Sequence, residues 1–199
     1  MEIELLEEGE LYHIFNRGIN REDIFREPMN YDYFLRKYRE NLTDVVDTLA
    51  YCLLKNHFHL FVQVKQNVIV PKRKGEGFIK SNASRQFGHL FKGYAQGFNK
   101  VYKRTGGLFE SPLHRTEVAS EDYITSLFFY IHTNAGHHGL VTDFKDWPYT
   151  SYHDVLNRNN SIVNCDYVLD WFGGEDRFRQ YHSCQHVLVN PSAWMLEDE

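Results

Sequence analysis

A chain of 199 residues with 42% hydrophobic and 16% aromatic residues is long enough to bury one core, short for two independent ones, and unlike a disordered or fibrous protein. No apolar run approaches the roughly 20 residues that span a bilayer, and the acidic start MEIELLEEGE lacks the basic region of a secretory signal, so cytoplasmic residence is expected. The net charge of -5 argues against a polyanionic partner only on average, because Lys65 to Arg104 carries ten Lys or Arg against the single acid Glu76. A local surplus of that size suits a nucleic-acid surface, although a solvated lysine-rich helix would look the same.

In chain order, ELYHIFNRG (Glu10 to Gly18) alternates as a strand does, with Asn16, Arg17 and Gly18 as its turn. Tyr31, Phe34, Leu35, Tyr38 and Leu42 then follow at amphipathic-helix spacing. Two strand-like segments, Val45 to Leu54 and Phe58 to Val64, are joined by a tight connection. Gln66 to Gly77, with a proline, two glycines and the basic run PKRK, reads as a loop. From Asn82 to about Arg104 the stripe Phe87, Leu90, Phe91, Tyr94, Phe98, Val101 and Tyr102 predicts a long helix with basic residues on its remaining surface. Leu113 to Ala119 reads as a strand. Ser120 is an N-cap for a helix buried through Ile124, Leu127, Phe128 and Ile131, with Gly136 placed to stop it. Short helices in an acidic C-terminal segment complete the chain. The order predicts an α+β domain, an antiparallel sheet flanked by helices in the ferredoxin-like or RRM-like manner.

Two histidines stand out within YCLLKNHFHLFVQV (Tyr51 to Val64). His57 and His59 are two apart in a strand, so both side chains project from one face, roughly 6 to 7 Å apart, where their nitrogens can converge on one cation. A third donor is available in SLFFYIHTNAGHHGL, where Tyr130 and Asn134 are four residues apart on one helix face. The asparagine oxygen can ligate a metal and the tyrosine can act as a nucleophile. Each of these residues also has an ordinary structural reading, as a cross-strand pair, a core-edge aromatic or a helix-end residue. Cys52, Cys165 and Cys184 form no disulfide or thiolate-zinc pattern, and Cys184 with His186 is too thin a pair to make a metal site.

In blocks running from about Tyr12 to Tyr152, the sequence resembles the single-tyrosine HUH transposases, more closely the subgroup associated with repetitive extragenic palindromes in bacterial genomes. The blocks are YHIFNRG, IFREPMNYDYFL, AYCLLKNHFHLFVQ, FNKVYKRTGGLF, YIHTN and DWPYTSY. The resemblance implies a domain over residues 1-152 carrying the chemistry, with 153-199 as a mainly helical extension. It implies His57, His59 and Asn134 as ligands of Mg2+ or Mn2+ and Tyr130 as the nucleophile that forms a 5'-phosphotyrosine link to single-stranded or hairpin DNA in a bacterial cytoplasm. Arg17, Lys92, Lys100, Lys103, Arg104 and Arg115 are the candidate DNA contacts. The chain departs from the family at Leu54-Lys55, where Met-Pro is usual, and after Asn134, where Asn-Pro-Val-Arg-Ala-Gly gives way to NAGHHGL. A homodimer, and with it the use of Tyr130 within its own chain or against a partner's histidines, is left open. Two other readings compete: a DNA-hairpin-binding protein without cleavage, and a zinc hydrolase that uses water.

Overall fold

The computed structural model describes residues 5–71, 78–80 and 82–183; Cys184, His186 and the Lys72, Arg73 and Lys74 run lie outside them. Four strands, β1 (Leu11–Arg17), β2 (Val46–Leu53), β3 (His57–Val64) and β6 (His114–Glu117), form one antiparallel sheet in the order β2-β3-β1-β6. Between them run α1 (Pro28–Leu42) and α2 (Ala83–Tyr102), and α3 (Glu121–His137) follows β6. With the small ribbon of β4 (Ile69–Pro71) and β5 (Phe78–Lys80) set aside, this is the strand order and antiparallel pairing of the ferredoxin-like arrangement. That ribbon replaces part of the loop expected from Gln66 to Gly77: β-branched Ile69 and Val70 pair with a second strand instead of running free. Likewise β1 continues through Asn16 and Arg17, where a turn was expected, because both stay in register opposite Phe58 and His57.

The alternation of β1 and β3 sorts side chains between two layers. Tyr12, Ile14, Phe58, Leu60 and Val62 are buried on one face, where Phe58 packs against Phe34 of α1 and Phe91 of α2. Pro28 at the first turn and a reciprocal Glu27–Asn30 capping box start α1. The two helices approach closely at Gly97, since a Cβ there would lie 2.6 Å from the Tyr33 ring. Val101, expected on the buried stripe of α2, is 55% exposed because it lines a groove between α1 and α2.

His57, His59, Phe61 and Gln63 occupy the other face, and α3 covers it, Phe128 meeting Phe61 at 5.1 Å between ring centroids. Ser120 caps α3 by accepting from the Tyr123 N–H, with Glu121 and Asp122 in the first turn. The helix passes through Gly136. Gly139, at φ +66°, ends it instead, with Gly139 N–H returning to the Gly136 carbonyl and Leu140 N–H to that of Ala135, the paired bonds of a Schellman ending.

Beyond α3, α4 (Tyr152–Leu156), α5 (Cys165–Phe172) and α6 (Glu175–Ser183) place Val155, Val168 and Phe178 in the same hydrophobic core. The segment before α4 runs beside β2, with Leu53 N–H donating to the Tyr149 carbonyl and Ser151 N–H to that of Tyr51. An otherwise open sheet edge is thereby covered. No helix among the described residues is long and apolar enough to cross a membrane.

Candidate active site

His59, 2% exposed, and the half-buried His57 stand side by side on β3 with ring centroids 5.2 Å apart. Each ring is held through its Nδ1. His57 Nδ1 lies 2.7 Å from the Asn56 Oδ1, and His59 Nδ1 lies 3.1 Å from the Nε2 of His13 on the neighbouring strand. The Nε2 atoms of both rings are buried and make no hydrogen bond among the described residues. Burial above all, and then the neighbouring His57, His13 and His138, hold the His59 pKa well below the usual imidazole range. Burial lowers His13 to about 3. His59 and His13 are therefore neutral near pH 7, and neutral imidazole is the form in which His59 can ligate a metal.

Tyr130, Asn134 and His138 follow one another at four-residue intervals on α3, with His138 at its C-cap, and so share a face. The Tyr130 ring lies edge-on to His59 at 5.3 Å and to His13 at 6.2 Å, while His138 meets His57 at 4.6 Å. Asn134, midway, is thereby set over the gap between the two histidines. It is completely buried, and neither its Oδ1 nor its Nδ2 has a hydrogen-bond partner among the described residues.

Such an amide beside two imidazoles makes a donor set of two nitrogens and one oxygen, which fits a divalent first-row cation with coordination positions left open. Among the described residues no group of three or more His, Cys, Asp or Glu is arranged to hold a metal, so a cation here relies on the asparagine as its third ligand. Tyr130, partly exposed, reaches the surface one helical turn away.

The expected DNA contacts divide between layers. Arg17 lies opposite His57 in register, on the face of the site, with its Nε 2.9 Å from the Glu110 Oε1. Arg115 pairs with Ile14 and so belongs to the opposite face. Lys92, Lys100 and Lys103 are exposed on or just beyond α2, and Arg104 is ion-paired with Glu22 at 2.6 Å; the sheet separates all four from Tyr130. Sequence reasoning passed over His13, Asn56 and His138. The alternation of His13 with Phe15 was a signal for the first, since it placed an imidazole on one side of an apolar strand.

No family model matches the chain. It is 25% identical over 130 residues, 65% of its length, to a protein of Haemophilus influenzae that carries the name of a REP-associated tyrosine transposase and is covered over 69% of its own length. In three dimensions it resembles a REP-associated tyrosine transposase solved bound to a REP hairpin, with a TM-score of 0.56 and 16% identity over 88% of this chain and 96% of that one. The chain is thus similar in sequence to a protein named as a REP-associated tyrosine transposase and shares the fold of another.

Proposed function

We propose that the protein cleaves and rejoins single-stranded DNA beside a hairpin through a covalent link to Tyr130, with Mg2+ or Mn2+ held by His57, His59 and Asn134. The observation that carries this reading is the Asn134 amide: leaving it buried without partners costs about 1–3 kcal/mol, and its place between two metal-competent histidines, one turn from a tyrosine, gives it a use. A relative bound to a hairpin supports the substrate class.

Tyr130 acts through its phenolic oxygen, which attacks phosphorus in line while the bond to the 3'-oxygen breaks. The products are a 5'-phosphotyrosine and a 3'-hydroxyl, and the phenolic proton is lost as the leaving oxygen gains one. Attack by a 3'-hydroxyl on the phosphotyrosine runs the step backward and reseals a strand without ATP. A bound divalent cation supplies charge neutralisation at the phosphate oxygens. Imidazole and amide ligands bring no negative charge to offset it. Tyr130 lies against its own chain's His59, which supports a reading in which the nucleophile and the ligands act within one chain.

The test is incubation of the protein with end-labelled hairpin DNA carrying a single-stranded flank, in Mn2+ or Mg2+, followed by a denaturing gel. A labelled protein adduct is expected, lost in Tyr130→Phe and in His57→Ala. Binding without any adduct identifies a hairpin-binding module, and cleavage that persists in Tyr130→Phe identifies a hydrolase that uses water.

A further inference from the structure

We propose that His13 and Asn56 are positioning residues that set His59 and His57 in the tautomer presenting Nε2 to the cation, an inference that rests on the metal-dependent reading above. A neutral imidazole carries one N–H, and the hydrogen bond made by one nitrogen decides what the other can do.

For His57 the assignment follows from the partner. An amide oxygen only accepts, so with Asn56 Oδ1 at 2.7 Å the His57 Nδ1 donates, and in the neutral ring its Nε2 bears the lone pair. The Asn56 amide is oriented in turn, its Nδ2 pointing to the Arg21 carbonyl at 3.5 Å.

For His59 the partner is itself an imidazole. His13, 1% exposed, brings its Nε2 to 3.1 Å from the His59 Nδ1, within N–H···N hydrogen-bond distance. Two arrangements share that geometry. In one, His59 Nδ1–H donates to His13 and the His59 Nε2 bears the lone pair that can ligate. In the other, His13 donates, and the proton of His59 is forced onto the ligating nitrogen. The first is the assigned state: the two ligand rings then match, each anchored at Nδ1 and each with a buried Nε2. A valine at position 13 would preserve the strand and lose this control.

Two measurements on the full chain test the assignment. In the metal-free protein labelled with 15N-histidine, two-bond proton–nitrogen spectra should show a protonated Nδ1 and an unprotonated Nε2 for both His57 and His59; a protonated Nε2 on either ring overturns it. In Mn2+ titrations, His13→Phe and Asn56→Ala should weaken binding about 10–100-fold, whereas His13→Gln and Asn56→Asp, which restore an oxygen acceptor, should recover most of the loss. A folded His13→Phe with wild-type affinity overturns the role of His13. If the wild type and His57→Ala alike bind no Mn2+, the metal reading fails, while the tautomer spectra still decide which nitrogen each ring presents.

Discussion

An amide buried without partners is a stability defect unless something binds it, and Asn134 makes that trade measurable. Asn134→Leu replaces both orphaned polar atoms with a side chain of similar size, so the metal-free protein should gain about 1–3 kcal/mol, a rise in Tm of a few degrees for a domain of this length. The same variant should lose the stabilisation that Mn2+ gives the wild type and should form no DNA adduct. A thermal melt with and without Mn2+ checks both, and a lower metal-free Tm would show that the amide is already satisfied. At this scale the sequence was informative where spacing alone decides: two residues apart on a strand, four apart on a helix. His13 was opaque because its bond to His59 spans 46 positions, and only the register of β1 on β3 brings the two together. His138 was hidden by reading Gly136 as the stop, when the left-handed turn falls three residues later at Gly139.

Among the elements, α3 is buried on more than its sheet-facing stripe, since His132, Thr133, Asn134 and Ala135 are all inaccessible. The far side is taken by the C-terminal helices. The His182 Nδ1 donates to the Phe178 carbonyl at 2.8 Å, so its Nε2 accepts from the His132 Nδ1 at 2.9 Å, and the His132 Nε2 accepts from the Ser151 hydroxyl at 2.8 Å. That relay ties α6 to α3 and, through the Tyr51 N–H that Ser151 accepts, to β2. In this direction the relay has a neutral His132, and burial, with His182 and His153 nearby, keeps His132 well below its ordinary pKa. The unfolded chain binds protons at His132, His59 and His13 below about pH 6.5 while the folded chain does not, so stability falls with acidification. Unfolding midpoints of the metal-free protein should be flat above about pH 7. Below about pH 6 they should drop, each such histidine contributing up to about 1.4 kcal/mol per pH unit. His132→Leu should be destabilised at pH 7 yet show a shallower pH slope. Equal slopes would place the acid sensitivity elsewhere. The periodicity of α3 revealed the sheet-facing stripe, but the second buried side depends on helices whose short, acidic segments gave no hint of where they dock.

At the scale of the molecule the sheet separates Tyr130 and the histidines from the lysines of α2. Tyr130 and the histidines lie on the α3 face, whereas Lys92 and Lys100 belong to α2 on the other, beside a groove of about 820 Å³ between α1 and α2 whose lining includes Arg36, Arg39 and Lys100. A hairpin that reaches Tyr130 can use that surface only by wrapping past a sheet edge. Replacing Lys92, Lys100 and Lys103 together by Gln therefore tests the path of the DNA: contacts with phosphate should weaken binding and reduce the salt slope by up to about one per lysine, leaving adduct formation per bound molecule unchanged. Unchanged affinity would confine the DNA to the α3 side. The same layering bears on whether one chain suffices. Tyr130 packs against His59 and His13 of its own chain, and α3 is fixed to the sheet by Phe128 on Phe61 and to α5 by the Trp171 indole N–H donating to Thr125, so lending the tyrosine to a partner would uncover a core. Mixing Tyr130→Phe with His57→Ala should then recover no DNA adduct, since neither variant holds both the nucleophile and the ligands. Recovery of adduct in the mixture, with the label on the His57→Ala chain, would show that α3 swaps between copies and that the packing seen in the single chain is only one of two arrangements.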